Sequence, residues 1–221
     1  MDIFLLLYSC MTITWFGHSC FRLEMKEGSV LIDPFGKDIG LRPPRIKDDL
    51  VLVTHHHSDH DNTAEANPEA FIIDGPGEYE KHGISVRGVT SFHDKSGGKE
   101  RGANTIYIVK GDDMTVCHLG DFGQEKFEDH QLEEIGDVDI LMVPVGGTYT
   151  IDYKEAVNVV SQIEPKIIIP MHYKTKDLKL EIAGPDKFLK EIGLTPEKVD
   201  KFKMVKKNLP VEEMKLILFE N

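Results

Sequence analysis

Four potential metal ligands within six residues follow directly on a short apolar run. Leu50-Val-Leu-Val-Thr54 has the composition of a strand covered on both faces, and His55-His56-His57-Ser58-Asp59-His60 begins where it ends. A chain with this feature must bury that strand and still leave its C-terminal end accessible. Residues two apart in extended backbone point to the same side, so His55 and His57 can reach one ion while His56 points away. Asp59 and His60 lie past a turn at Ser58 and can swing toward a second ion. Imidazole with carboxylate suits zinc, and also manganese or iron. The competing reading is a solvated histidine-rich turn. A lone pair of histidines would favour it; four donors at the end of a buried strand do not.

The same order occurs twice more. Gly120-Asp121 follows the apolar run Met114–Leu119, and His172 follows Ile167–Pro170. Asp121 could bridge two ions and His172 could complete the second. Taken alone, Asp121 also reads as a turn aspartate after glycine, and His172 as a hydrogen-bonded core histidine. Ligands set at the ends of scaffold strands hold their geometry.

The surrounding pattern is sheet-rich at first. Alternating runs at 12–16 and 20–25 and a third run at 29–33 read as a meander. Further strands fall at 71–73, 84–89, 105–109 and 114–119, the last two joined by the turn Gly111-Asp112-Asp113. From Ile140 strands and helices alternate. Ile140–Val143 is a buried strand. Asp152-Tyr-Lys-Glu155 resembles a capping box, and Ala156, Val159, Val160 and Ile163 follow at helical spacing before Pro165. Residues 166–170 form a strand and 185–194 a helix, Thr195-Pro196 can open a third short helix, and 214–219 closes as a strand. Two sheets packed face to face with helices outside accommodate this order, an α/β (α+β) class.

A length of 221 residues suits one domain, expected over 11–221. Residues 1–10 read as an extension, or as sequence before a start at Met11. Ile3–Tyr8 is far too short for a membrane span and lacks the positive flank of a signal peptide. The net charge of −12 disfavours nucleic acid, because phosphate backbones are repelled and the only basic run is Lys201–Lys207. Cys10, Cys20 and Cys117 give no disulfide framework and no metal clip, so a reducing, cytoplasmic setting is expected.

Several stretches now join these motifs. Thr14-Trp-Phe-Gly-His-Ser-Cys-Phe21, Leu31-Ile-Asp-Pro34, Gly75-Pro-Gly-Glu78, His118-Leu-Gly-Asp121, Pro144-Val-Gly-Gly-Thr-Tyr-Thr150 and Pro170-Met-His-Tyr173 occur in order around the HxHxDH motif at 55–60. From Met11 to about Tyr173 the chain resembles the metallo-β-lactamase superfamily, in the branch of small Zn-dependent hydrolases that includes ascorbate-phosphate lactonase-like proteins. The resemblance implies a four-layer αββα sandwich with the site at one edge. It implies His55, His57 and a further histidine on one metal ion, Asp59, His60 and His172 on a second, and Asp121 between them. His93 best matches the further histidine, with His82 the weaker match. Asp33 is placed to steady metal-bound histidines by hydrogen bonds, or is a plain turn residue before Pro34. His118 is assigned behind the ligands rather than among them. His18 reads as a buried structural histidine ahead of one that lines the cleft. Tyr149 and Tyr173 either face substrate or pack.

The expectation is therefore a hydrolase with two divalent metal ions, zinc first and manganese or iron as alternatives. A hydroxide between the ions would cleave an ester, lactone, amide or phosphodiester bond of a small molecule, with Asp59 orienting it and receiving a proton. The alternatives are a nuclease of the same fold and a metal-binding protein without turnover. A di-iron oxygen-reducing relative is disfavoured, since it uses a glutamate where this chain has His57.

Overall fold

The first strand shows how the sequence builds its sheets. Met11, Ile13 and Trp15 are buried while Thr12, Thr14 and Phe16 are half-covered, the period-two alternation of a strand with one face on a core. The computed structural model describes residues 9–220, so most of the extension expected at 1–10 lies outside the described residues.

In chain order the strands are β1 (Met11–Gly17), β2 (Cys20–Glu24), β3 (Ser29–Ile32), β4 (Leu50–Leu52), β5 (Phe71–Ile73), β6 (Gly77–Lys81), β7 (Ile84–Phe92), β8 (Ala103–Gly111), β9 (Met114–His118), β10 (Ile140–Pro144), β11 (Ile167–Met171), β12 (Pro196–Val199), β13 (Phe202–Met204) and β14 (Lys215–Phe219). Helices α1 (Asp129–Ile135), α2 (Tyr153–Ile163) and α3 (Asp186–Ile192) interrupt the second half. The first sheet has the order β13-β1-β2-β3-β4-β5 and the second β12-β14-β11-β10-β9-β8-β7-β6. The two sheets face each other across one continuous apolar core. Val30 and Ile32 point into it, while Leu31 between them points outward.

The expected two-sheet sandwich of mixed α/β class is what the chain forms. The two outer layers differ. α1 packs on β7 and α2 on β10, with α3 against α2, all on the second sheet. The outer face of the first sheet is covered by a smaller cluster of Cys20, Leu31, Phe35, Ile39, Leu178 and Ile182, carried largely by loops and the 3-10 turn Lys37–Ile39. The capping box of α2 is present: the Asp152 side chain accepts from the amides of Lys154 and Glu155, and Glu155 accepts from the Asp152 amide. The helix expected at Thr195-Pro196 is instead β12, paired in parallel with β14.

Strand direction places the site. β1 and β3 flank β2 antiparallel, and β4 runs parallel to β3. In the other sheet β7 and β9 flank β8 antiparallel, and β10 and β11 continue parallel to β9. β1, β3 and β4 thus share one direction in the first sheet and β7, β9, β10 and β11 one direction in the second, and their C-terminal ends meet at one edge of the sandwich. Clefts beyond the carboxyl ends of strands are the usual ligand sites of such sheets.

Candidate metal centre

Every residue singled out as a metal ligand comes off one of those strand ends. His55 to His60 follow β4, His93 follows β7, Asp121 follows β9, and His172 follows β11. The backbone there is tightly turned. His18, Asp33 and His172 have φ of 54°, 49° and 51°, a region non-glycine residues rarely enter and one that clusters at functional sites. Gly120 has φ 57°, and a Cβ on it would lie 2.4 Å from Asn104 Oδ1 and 2.8 Å from Thr54 Cβ, so glycine is required for the turn that presents Asp121.

The side chains gather into linked groups. His55, His57 and His93 bring ring nitrogens within 4.8 Å of one another, and so do His18, His60 and His172; His55, His60 and Asp121 form a third such set that joins the other two. Asp121 is buried between them. Its Oδ2 lies 3.2 Å from His93 Nε2 and 3.1 Å from His172 Nε2, and its Oδ1 lies 3.4 Å from His60 Nε2. The Oδ2 of Asp59 lies 3.1 Å from His18 Nε2 and 3.7 Å from His60 Nε2. With its side chain 22% exposed, Asp59 is far more open than Asp121 at 3%.

Hydrogen bonds behind these groups set which nitrogen faces inward. His60 Nδ1 lies 2.8 Å from Asp33 Oδ2, and a carboxylate only accepts, so Nδ1 carries the hydrogen and Nε2 is left toward the cluster. Asp33 also accepts from the amide and hydroxyl of Thr54, both at 2.8 Å. That hydroxyl, its hydrogen committed to Asp33, accepts from His55 Nδ1 at 3.0 Å. His55 Nε2 is then a bare acceptor, buried and without a partner among the described residues. A buried lone pair aimed at other donors is costly unless a cation or a donor fills the space, and a divalent ion fits it. His118 differs. Its Nδ1 accepts from the Gly120 amide at 3.1 Å and its Nε2 donates to Ser19 O at 2.8 Å, so neither nitrogen is left for an ion.

Electrostatics divide the imidazoles around ionised carboxylates: burial prevails at His55 and His18, whereas the charges and hydrogen bonds of Asp121 and Asp33 outweigh burial and raise His60 well above its ordinary value. Burial first, then the charge of His60, lowers His55 to about 3; burial first, then His172, lowers His18 to about 4. For Asp121 burial works toward protonation, but His172 and His60 outweigh it and hold the carboxyl well below its usual range.

His18, read from the sequence as a buried structural histidine ahead of a cleft one, is buried and also stands in the cluster, its Nε2 3.1 Å from both Asp59 Oδ2 and His60 Nε2. It follows β1 as the other donors follow their strands, and its carbonyl accepts from both Trp15 Nε1 at 3.0 Å and the His172 amide at 3.1 Å. Its position directly after a strand and a glycine was the available signal. The amide of Asn104, which accepts from the Asp121 N–H at 3.0 Å, carried no such signal. Four other residues lie outside the cluster. His56 is turned to solvent, 3.7 Å from both Asp61 and Asp74. His82 sits in the exposed β6–β7 turn, at the far end of β7 from His93. Tyr173 is buried with its ring 5.0 Å from that of Trp15, so it packs, whereas Tyr149 is half-buried at the edge of the smaller core.

Comparison with known proteins follows this geometry. Residues 12–172 match the family described as the beta-lactamase superfamily domain. A UPF0173 metal-dependent hydrolase of Thermoplasma acidophilum is 35% identical over 80% of this chain and 88% of its own length. One from Staphylothermus marinus is 36% identical over 85% and 93%. A crystal structure from Thermotoga maritima, of a protein assigned as a Zn-dependent hydrolase of the metallo-beta-lactamase superfamily, superposes with a TM-score of 0.79 at 39% identity, covering 95% of this chain and 98% of that one. The chain belongs to the UPF0173 metal-dependent hydrolases of the metallo-β-lactamase superfamily.

Proposed function

We propose that the protein is a hydrolase that holds two divalent ions, zinc foremost with manganese or iron compatible, and cleaves an ester, lactone, amide or phosphodiester bond of a small molecule. The observation that carries this reading is the pair of imidazole groups, His55/His57/His93 and His18/His60/His172, joined through Asp121. His55, His57 and His93 would hold one ion, and His60, His172 and Asp59 the other, with Asp121 shared. His18 adds a third imidazole to the second group. Bound divalent ions supply Lewis-acid polarisation of the scissile group and an acidified water.

The protein's own groups do the rest. Asp33 and Thr54 fix the orientation of His60 and His55, so His55 offers a lone pair as it stands and His60 would offer one once an ion displaces the proton on its Nε2. Asp59, the most open carboxylate of the cluster, is placed to take up a proton and pass it to solvent. Asp121, buried and ionised, gives His60, His93 and His172 a fixed negative partner. The acidic surface supports a small substrate over nucleic acid. No helix among the described residues is long and apolar enough to cross a membrane. Three free cysteines fit the expected cytoplasmic setting.

Metal content per chain tests the reading, measured on native, Asp121→Ala and His18→Ala protein together with turnover of lactones, phosphodiesters and thioesters. Near two ions in the native chain, fewer in both variants, and metal-dependent turnover are expected. One ion or none in well-folded native protein sinks the two-metal assignment.

A further inference from the structure

A cation stands at the mouth of this cluster with no acid to pair it. Arg101 lines a cleft of about 350 Å³ together with His55, His57 and Asp74. Its guanidinium lies 4.8 Å from the centre of the Tyr149 ring. Among the described residues no carboxylate comes within ion-pair distance of it, in a chain where twelve negative charges are in excess. Asp74, the one carboxylate of the cleft wall, is 64% exposed and lies beside His56. A half-buried arginine held over an aromatic ring still has a planar fork of N–H donors to offer, the geometry that suits carboxylate or phosphate oxygens.

The loop carrying Arg101 is built to hold it still. The carboxylate of Asp94 accepts from the Ser96 amide at 2.8 Å, the Ser96 hydroxyl at 2.7 Å and the Gly98 amide at 3.0 Å. It also accepts from the amides of Glu100 at 3.0 Å and Arg101 at 2.8 Å. Asp94 directly follows His93. One short loop thus fixes a candidate metal ligand at its start and a cation near its end, and the second loop, after β10, brings Tyr149 beneath that cation. Binding groups held by such a supporting network lose little freedom when a ligand arrives.

We infer that Arg101, seated on Tyr149, binds an anionic group of the substrate, so that the protein acts on small molecules carrying a carboxylate or phosphoryl group a short spacer away from the bond cleaved. This rests on the hydrolase reading above. The guanidinium holds the remote anion, the metal cluster receives the scissile group, and neutral analogues of the same length bind less well.

The test uses the metal-loaded full chain and binding rather than turnover. Dissociation constants are measured by calorimetry for monocarboxylates from acetate to pentanoate, dicarboxylates from malonate to adipate, and 3-phosphonopropionate. At one spacer length the second anionic group should tighten binding on the order of tenfold or more. Arg101→Met should remove that gain while leaving metal content and monocarboxylate binding as in the native chain, and Arg101→Lys should keep part of it. Whichever of carboxylate and phosphonate gains more identifies the group read. An equal gain in native and Arg101→Met protein, or none at any length, overturns the proposal and leaves the hydrolase reading intact so long as metal content holds. A chain that takes up no metal overturns both.

Discussion

An imidazole has two nitrogens, and whatever engages one decides what the other can do. Asp33 shows this at the scale of a single residue. It is fully buried, and burial would raise its carboxyl, yet the charge and hydrogen bond of His60 outweigh burial and leave it below the usual range. Through Thr54 it also governs His55, so one carboxylate orders a ring in each of the two groups. Replacing it should therefore weaken metal uptake out of proportion to any change in fold. Asp33→Asn is expected to lower metal affinity about 10- to 100-fold, measured by chelator competition, with circular dichroism unchanged; unaltered affinity would reduce Asp33 to a turn residue. The sequence made Asp33 and the HxHxDH run visible because each sits directly after a strand. His18 obeys the same rule, but a single histidine between glycine and serine offers no spacing pattern, so nothing local separates it from a core histidine.

At the scale of elements, strands with strong apolar runs were legible and strands defined by their partners were not. β13 is Phe202-Lys-Met204, with the lysine outward and its neighbours buried against β1, but in the sequence it merges with a basic stretch. β12 begins at a proline, a residue tolerated as the first residue of an edge strand, and the same Thr-Pro pair also starts helices. Pairing with β14 decides between them. α1 buries only Gln131 and Ile135, too little apolar surface to give a helical period. Between elements, the Tyr107 hydroxyl of β8 reaches Val53 O at 2.9 Å and Ile73 O at 3.1 Å, tying the second sheet to the ends of β4 and β5. Tyr107→Phe should cost about 1 kcal/mol, within the usual 0.5–1.5 for a hydrogen bond, seen as a lower denaturant midpoint with an unchanged slope. No loss would mean that those carbonyls are satisfied without it.

At the scale of the molecule, an acidic chain depends on a few well-placed cations. Asp139 leads into β10, accepts from the Thr115 amide of β9 at 3.0 Å, and pairs with Lys166 Nζ at 2.6 Å and Lys206 Nζ at 2.8 Å. Burial raises its carboxyl, but the two lysines and the amide outweigh that and lower it from 3.8. A carboxyl lowered on folding contributes stability that is complete above its unfolded value and is lost as pH falls through the folded one. Native protein should thus lose stability below pH about 4, and Asp139→Asn should be less stable at pH 7 by about 1–2 kcal/mol, the lysines being half-exposed. Denaturant titrations at pH 7 and pH 3 check this: the two proteins should converge at the lower pH, and a constant gap would exclude the linkage.

The meeting of strand ends from both sheets also bears on how the protein is made. His18 comes from the first strand and His172 from the eleventh, and the carbonyl of one accepts the amide of the other. A product of synthesis that stops short of residue 172, and either sheet alone, lacks part of the donor set. Under the two-ion reading the group of His18, His60 and His172 would fill only after residue 172 has left the ribosome, which would make capture of the second ion a late event in the life of the nascent chain.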